Sequence, residues 1–407
     1  MPMGTSPGAN RSPHDDEASA DSVRARVLAL CASEGFPIVR VAPADVMTGA
    51  RASAQEALSD GRLAHMDWMT EDWLNRATDP ERFLSGARSV ILLALPYHGQ
   101  DLVQLEGADG GVGPARGRVA RYARGRDYHR VFESKLRRIA RVLRQDFGAE
   151  ARATVDYGPL LERPLAAAAG LGWLGKSTML LVPGFGPWVL LGAIATTLEL
   201  EADVPIQKTC GSCNRCVVAC PTGALGSDGT VLDARLCISY HTIENRGPIP
   251  RELRAKFGDW VFGCDACLDS CPVGANNPEA YPDFVPPDIE AARPALAALL
   301  ELSEDTFRAR FQGRPIMRAK RDGLVRNACV ALGNVGAAAD FDSLVRPLTD
   351  ASPLVRGHAA WGLAQLANRH SLEAAARAAL ETQAETEHDP YVLEELHAAL
   401  ADLKPRN

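Results

Sequence analysis

The sequence lacks the features that carry a chain into or across a membrane. Its 407 residues contain no run of about eighteen apolar residues, so no segment is predicted to span a bilayer. Residues 1–20 are rich in Gly, Ser, Pro and acidic residues, without an apolar signal segment or a twin arginine, and we expect them to be disordered. These absences predict a cytoplasmic protein that has no membrane partner.

Cysteine is scarce outside one stretch. Of the 10 cysteines, only Cys31 and Cys329 lie away from the segment between Cys210 and Cys271. Both isolated residues occupy apolar helical patterns and are predicted to be buried thiols. A disulfide framework is not expected in a cytoplasmic protein.

The clustered cysteines form two related runs. The first, Cys210-Gly-Ser-Cys213-Asn-Arg-Cys216-Val-Val-Ala-Cys220-Pro221, has the C-x2-C-x2-C-x3-C-P spacing of bacterial iron–sulfur proteins. The second, Cys264-Asp-Ala-Cys267-Leu-Asp-Ser-Cys271-Pro272, lacks one cysteine, which Cys237 supplies. Structural zinc is the alternative, since C-x2-C pairs also bind zinc. Two runs that end in Cys-Pro favour two [4Fe–4S] clusters.

The spacing also predicts which thiolates share a cluster, because the fourth cysteine of a run binds the other cluster. The first set is predicted to contain Cys210, Cys213, Cys216 and Cys271. The second set is predicted to contain Cys220, Cys237, Cys264 and Cys267.

Helix and strand patterns predict three folded parts. Helices and strands alternate over residues 21–200, which predicts an α/β domain. Residues 201–287 hold the cysteines and are predicted to form an α+β two-cluster ferredoxin-like domain. Residues 288–407 are helical, and Leu324-Val-Arg326 recurs as Leu354-Val-Arg356. A repeat of this period predicts an all-α stack of HEAT-like repeats that leans on the rest of the chain.

A glycine-rich segment imitates a nucleotide-binding loop. Gly170-Leu-Gly172-Trp-Leu-Gly175-Lys176-Ser177 satisfies both G-x-G-x-x-G and G-x-x-x-x-G-K-[ST]. A P-loop requires a strand before the glycines and a helix after them. Here a helix is predicted before and strands after, so an ATP site is rejected. Lys176, Ser177 and Thr178 could instead donate to phosphates or amides of a large cofactor.

Asp156 is the candidate catalytic acid. It ends a predicted strand and precedes Gly158-Pro159, a position where active-site residues of α/β folds are found. In an apolar pocket its carboxyl group would stay protonated and could donate a proton. The alternative is an acid that caps the helix predicted to begin near Leu160.

A basic cluster lies at the front of the helical tail. It contains Arg314, Arg318, Lys320, Arg321 and Arg326, in a chain whose net charge is -7. Most charge runs are solvated surfaces, but this asymmetry also fits contact with phosphates.

Several motifs together resemble the epoxyqueuosine reductase family, over nearly all of residues 21–370. They are Tyr122-Ala-Arg-Gly125-Arg-Asp127-Tyr128-His129, Val155-Asp156-Tyr-Gly158-Pro-Leu-Leu-Glu162-Arg163, Ala169-Gly170-Leu-Gly-Trp173-Leu-Gly175-Lys176-Ser-Thr178, Phe262-Gly263-Cys264-Asp265-Ala-Cys267 and Arg318-Ala-Lys320-Arg-Asp-Gly323-Leu-Val-Arg326-Asn327. The resemblance implies reduction of the epoxide of epoxyqueuosine, at the wobble position of tRNA with a GUN anticodon, to queuosine. It also implies cobalamin, two [4Fe–4S] clusters, an external low-potential electron donor, a monomer and Asp156 as proton donor.

The resemblance carries over further site residues. The expected cobalamin contacts are Arg76, Asp156, Lys176, Ser177, Thr178, Leu180, Ser239, Asp265 and Ala266. The expected tRNA contacts are Asn245, Arg254, Arg314, Lys320, Arg321 and Arg326.

Two other functions remain open at this point. One is a cobalamin-dependent reductive dehalogenase that acts on a small molecule, which would not need the basic tail. The other is an electron-transfer module, which would not need Asp156. The cobalamin motif D-x-H-x-x-G is absent, because Phe132 stands where glycine is required after Asp127 and His129.

Overall fold

A four-stranded antiparallel sheet forms the centre of the first part of the chain. In the computed structural model, residues 13–98, 113–274 and 279–404 are described, with side chains from Val23 onward. The sheet contains β1 (Ile38–Pro43), β2 (Ser89–Pro96), β4 (Ala151–Thr154) and β7 (Val189–Thr196), in the order β1-β2-β7-β4. The central strand β2 is buried along its whole length, as its continuous apolar run predicts.

The prediction of a mixed helix-and-sheet domain is confirmed, but the direction of the strands differs from an α/β domain. All three strand pairings of the sheet are antiparallel. An α/β sheet is parallel and needs crossover helices. Alternating helices and strands in a sequence do not reveal strand direction, because that depends on which strands become neighbours.

Six helices accompany this sheet within the described residues. They are α1 (Pro13–Ser33), α2 (Thr48–Ser59), α3 (Glu71–Ala77), α4 (Pro80–Phe83), α5 (Tyr128–Phe147) and α6 (Glu162–Ala168). Helix α1 begins at Pro13, within the range 1–20 that was predicted to be disordered, and residues 1–12 lie outside the described residues. The apolar face of α5 packs on the sheet, where a Cβ on Gly192 would approach the Phe132 ring to 2.7 Å. Gly192 therefore lets α5 lie close to β7.

Short elements make up the cysteine-containing part. They are strand β8 (Trp260–Phe262) and helices α7 (Arg215–Ala219), α8 (Ile238–Ile243), α9 (Arg251–Arg254) and α10 (Ala266–Asp269), whereas the two-residue strands β3 (Arg118–Val119), β5 (Trp173–Leu174) and β6 (Leu180–Leu181) precede the cysteines in the chain. β3 pairs in parallel with β8, which joins the segment before α5 to the second cysteine run. Single 3-10 turns occur at Arg121–Ala123, Ala255–Phe257, Pro282–Phe284, Pro315–Ala319, Ala338–Asp340 and Arg346–Thr349.

The last part of the described chain is helical. It contains α11 (Ile289–Ala292), α12 (Leu296–Leu300), α13 (Glu304–Phe311), α14 (Lys320–Val335), α15 (Phe341–Val345), α16 (Pro353–His370), α17 (Glu373–Thr386) and α18 (Pro390–Asp402). Helices α14 and α16 cross at two glycines, since a Cβ on Gly333 would lie 2.6 Å from the Cα of Gly362. Val119 and Phe262 belong to the same apolar core as these helices. The C-terminal helices therefore pack against the rest of the chain, as predicted.

Two further predictions concern burial. Cys31 and Cys329 are both fully buried, which confirms their assignment as buried thiols. Among residues 13–98, 113–274 and 279–404, no helix combines the length and apolar character that crossing a membrane requires.

Candidate active site

The loop after β4 holds Asp156 in a left-handed turn. The strand ends at Thr154, and Asp156 has a φ of 52°, which is uncommon for a residue other than glycine. Gly158 closes the turn, because a Cβ there would lie 1.6 Å from Thr154 Oγ1. The Asp156 backbone N–H donates to Glu162 Oε1 over 2.8 Å. The turn leaves 62% of the Asp156 side chain exposed.

Residues at the start of α5 bind the Asp156 carboxylate. The Tyr128 hydroxyl donates to Asp156 Oδ2, and His129 Nε2 lies 3.4 Å from the same oxygen. On the other side of the ring, His129 Nδ1 lies 2.8 Å from Asp127 Oδ1. Asp127 is the N-cap of α5, so helix formation itself fixes this carboxylate. The imidazole thus bridges one capping carboxylate and one exposed carboxylate.

This network corrects the prediction that Asp156 stays protonated. Partial desolvation of the carboxyl group opposes ionisation, but the hydrogen bonds from His129 and Tyr128 prevail, and the pKa of Asp156 is lowered. Burial also opposes the charge of His129, yet hydrogen bonds with Asp127 and Asp156 raise its pKa to about 9. At neutral pH the network therefore holds its mobile proton on His129, and Asp156 is a carboxylate.

A second carboxyl group beside Asp156, that of Glu162, has a raised pKa instead of a lowered one. Burial raises the pKa of Glu162 to about 8, and the nearby charge of Asp156 adds to the shift. Two neighbouring carboxyl groups whose pKa values are pushed apart can serve different proton-transfer roles. Glu162 is thus the neutral acid of the pair.

The helix-capping alternative for Asp156 is wrong. Helix α6 begins at Glu162 and its N-cap is Leu161, without a side-chain capping bond. The sequence reasoning also missed His129, Tyr128 and Glu162 as site residues. The first two lie directly after an N-capping Asp, a signal that places their side chains at a helix end.

A buried acid from the cysteine segment faces the same region. Asp265 is 3% exposed, and its Oδ2 accepts the Arg121 backbone N–H at 2.8 Å. Burial raises the pKa of Asp265 to about 6, although Arg121 opposes the shift. The ring of Tyr122, the residue after Arg121, lies 6.1 Å from the ring of Tyr128, whose hydroxyl binds Asp156. Asp156 and Asp265 therefore border one site.

The glycine-rich segment forms a hairpin, which confirms that it is not a P-loop. Helix α6 precedes it, and β5 pairs antiparallel with β6 after it. The Lys176 backbone N–H points at Cys210 Sγ over 3.5 Å, and Arg163 Nη1 donates to the Thr178 carbonyl over 3.4 Å. Thr178 adopts a positive φ of 62° at the hairpin turn. The hairpin thus lies between the first cysteine run and the Asp156 loop.

The eight clustered thiols influence one another in two groups. Burial raises the pKa of Cys271, and Cys210, Cys216 and Cys213 raise it further. Burial likewise raises the pKa of Cys267, followed by Cys264, Cys237 and Cys220. The division of the eight thiolates between two clusters stays a prediction. Within the described ranges, no three His, Cys, Asp or Glu side chains are arranged around a single-ion site.

Comparison with known proteins identifies the family. Residues 77–157 match the family model "Epoxyqueuosine reductase QueG, DUF1730", and residues 209–274 match the "4Fe-4S double cluster binding domain". An epoxyqueuosine reductase of Gloeobacter violaceus is 40% identical over 78% of this chain and 97% of its own length. The chain belongs to the epoxyqueuosine reductase family. It is an oxidoreductase that carries a double-cluster iron–sulfur domain.

Solved structures of epoxyqueuosine reductases have the same fold. One, in complex with an epoxyqueuosine-modified tRNA-Tyr stem loop, is 29% identical, with a TM-score of 0.86 over 95% of this chain and 100% of that chain. Another, from Bacillus subtilis, has its catalytic loop swung out of the active site; it is 28% identical, with a TM-score of 0.84 over 95% and 100% of the two chains.

For this epoxyqueuosine reductase family member, three predicted tRNA contacts are wrong. Asn245, Arg254 and Arg326 are 7%, 1% and 1% exposed. Arg254 pairs with Glu395 at 2.5 Å, and Arg326 donates to backbone carbonyls of His241, Asn245 and Gly247. These guanidinium groups join the cysteine segment to the C-terminal helices, so an RNA surface cannot reach them.

The remaining predicted tRNA contacts differ in their surroundings. Arg321 pairs with Asp350 at 2.5 Å and is 14% exposed as a side chain. Lys320 is exposed and Arg314 is half-buried. Arg318, beside them, is 55% exposed and pairs with Glu244. Arg314, Arg318 and Lys320 therefore form the accessible basic surface.

The predicted cobalamin contacts come from several elements. Ser177 and Leu180 are buried in the hairpin, while Ser239 and Ala266 are half-buried on α8 and α10 beside the second cysteine set. Arg76 lies on α3, where it pairs with Asp72 at 2.9 Å. Helix α3 ends beside the Asp156 loop, because the Ala77 carbonyl accepts the Leu161 backbone N–H over 2.9 Å.

Proposed function

We propose that this protein reduces the epoxide of epoxyqueuosine in tRNA to the alkene of queuosine. The reaction consumes two electrons and two protons, breaks the C–O bonds of the epoxide and releases water. The observation that carries the proposal is the Asp127–His129–Asp156 network, which holds a proton beside an exposed carboxylate. Family membership supplies the substrate class.

The cysteines would hold the clusters that relay the electrons. The first set would hold the outer [4Fe–4S] cluster and the second set the inner cluster. The second set lies in the more enclosed segment, since Asp265 and Leu268 are buried there, whereas Asn214 and Arg215 in the first run are exposed. When bound, the two clusters would carry electrons one at a time from an external low-potential donor towards the active site.

Cobalamin fits the space between the hairpin and the acids. The buried Trp173 Nε1 has no acceptor among the described residues, and a corrinoid carries amide side chains that accept hydrogen bonds. Leu174 beside it leaves an apolar surface, since it is 47% exposed. The cofactor would be held by Arg76, Asp156, Lys176, Ser177, Thr178, Leu180, Ser239, Asp265 and Ala266. When bound, cobalamin supplies a strongly reducing cobalt centre for attack on the epoxide.

The proton network supplies the protons. His129 carries a proton at neutral pH, and Asp156 lies between that proton and solvent. Asp156 accepts the proton from His129 Nε2 and delivers it to the oxygen that leaves carbon. Asp127 stabilises the imidazolium, and Tyr128 orients the carboxylate. Glu162, with a pKa of about 8, is a second proton source beside the turn.

The helical tail binds the RNA. Helices α14, α16 and α18 form a short stack of HEAT-like repeats, and the basic surface of Arg314, Arg318 and Lys320 lies at its front. Arg318 pairs with Glu244 at 2.8 Å, and Glu244 is the C-cap of α8, the helix that carries Ser239, so this surface lies beside the predicted cobalamin contacts. It suits a tRNA with a GUN anticodon whose wobble base is turned outward. The protein acts in the cytoplasm as a monomer.

Asp156→Asn tests this proposal. Anaerobically reconstituted protein is incubated with epoxyqueuosine-containing tRNA, cobalamin and dithionite, and the nucleosides are measured by mass spectrometry. We expect queuosine from the native protein and none above background from the variant, whose iron–sulfur and corrinoid absorbance stays native. Normal turnover by Asp156→Asn would refute the role of Asp156, and no queuosine from the reconstituted native protein would refute the activity.

A further inference from the structure

The surface around the first cysteine run is apolar and basic. Val218 on α7 is 76% exposed although it lies between two cysteines, and Val204 before the run is 82% exposed. From Val204 to Cys220 the charged residues are Lys208 and Arg215, and both are exposed. This run therefore carries only positive charge in a chain whose net charge is -7. We call Val204, Lys208, Arg215 and Val218 the cluster-side patch.

Packing holds the cluster-side patch next to the first set of thiols. Lys208 Nζ lies 5.6 Å from the centre of the Trp173 ring, and Lys176 of the same hairpin points its N–H at Cys210. Gly170 contacts the chain at Val204, because a Cβ there would lie 2.1 Å from the Val204 carbonyl oxygen. The nearest preceding acid, Asp203, is paired with Arg24 at 2.9 Å. The cluster-side patch is thus held in place by contacts with the glycine-rich segment that carries Lys176, a predicted cobalamin contact.

We propose that the cluster-side patch docks the electron donor, and that the donor is an acidic low-potential carrier protein. This rests on the proposed path of electrons through the first set. Electron-transfer complexes are small and short-lived, below about 1,200 Å² of buried surface, so two apolar side chains flanked by two cations suffice. Complementary charge guides such encounters and raises their association rate. A carrier seated here delivers one electron at a time to the outer cluster, and the carrier is oxidised by one electron in each encounter.

The test compares Lys208→Glu/Arg215→Glu with a matched double charge reversal on other exposed cations, Lys256→Glu/Arg377→Glu. Reduction of the reconstituted clusters by an acidic flavodoxin hydroquinone is followed by anaerobic stopped-flow absorbance at several salt concentrations. We expect the second-order rate to fall at least about tenfold at low salt in the patch variant only, with most of its salt dependence lost. Val218→Asp should also slow the reaction, because it places a negative charge at the centre of the patch.

Two controls separate this inference from the proposed function. Cluster midpoint potentials from redox titration should be unchanged, and dithionite-driven formation of queuosine should stay native in the patch variant. Equal slowing in the patch and matched variants, or no slowing in either, would overturn the docking site. A loss of tRNA affinity with an unchanged flavodoxin rate would assign the patch to RNA instead.

Discussion

Replacing His129 by Gln removes the group that stores the proton of the active site. Its pKa of about 9 keeps the imidazole charged across the neutral range. Glutamine retains hydrogen-bonding ability but cannot carry that proton. A positioned general acid contributes about 10²- to 10⁴-fold to a rate, so we expect the variant to lose that much at pH 7. Single-turnover formation of queuosine, with reduced clusters in excess, measures the loss.

The pH profile gives a sharper readout than the rate alone. In the native protein the rate should fall as the pH rises through about 9, where His129 loses its proton. His129→Gln should lack the decline through about 9 and keep only a decline through about 8, where Glu162 loses its proton. The exposed His397 provides a matched control, since His397→Gln should leave both the rate and the profile native. An unchanged alkaline decline in His129→Gln would refute the assignment of the proton to His129.

The same pKa shift predicts a pH dependence of stability. The pKa of His129 rises from 6.5 to about 9 on folding. The stabilisation is therefore complete below pH 6.5 and disappears as the pH rises through about 9. A shift of this size corresponds to roughly 3 kcal/mol. Denaturant midpoints of native protein and His129→Gln, measured between pH 6 and 10, should accordingly converge at the alkaline end.

Two further predictions concern basic residues that were expected to contact tRNA. Arg254→Met should destabilise the fold by about 1.5–3 kcal/mol in urea unfolding, because it removes the Arg254 hydrogen bonds to the buried Glu395 while Arg251 still pairs with that carboxylate. The double variant Arg254→Met/Glu395→Leu should recover part of that loss, and a single variant as stable as the native protein would contradict the buried pair. Arg314→Glu/Lys320→Glu should weaken tRNA binding and reduce its salt dependence, while Arg377→Glu should not, as measured by filter binding between 50 and 200 mM salt. Unchanged affinity would remove Arg314 and Lys320 from the RNA surface.

The sequence by itself determined the features that depend on local spacing. The two cysteine runs, with Cys237 between them, predict both clusters because a few residues fix the path of a loop around its ligands. The order of elements around Gly170–Ser177 was enough to reject a P-loop. The strand and Gly158-Pro159 around Asp156 predicted a turn at the end of β4, and apolar patterns identified Cys31, Cys329 and β2 as buried.

Only the tertiary structure decided which charges are accessible and which carry protons. Tyr128 reaches Asp156 from 28 positions away in the sequence, and Arg254 meets Glu395 across 141 positions. The spacing of basic residues predicts a surface cluster. In the structure, however, Arg254 and Arg326 are buried between the cysteine segment and α14–α18, and their contacts hold these two parts together. The ionisation of Asp156 likewise follows from partners on another helix. The exposure and the pKa of a side chain depend on neighbours that folding brings together, whereas the spacing of the cysteine ligands can be read from a few consecutive residues.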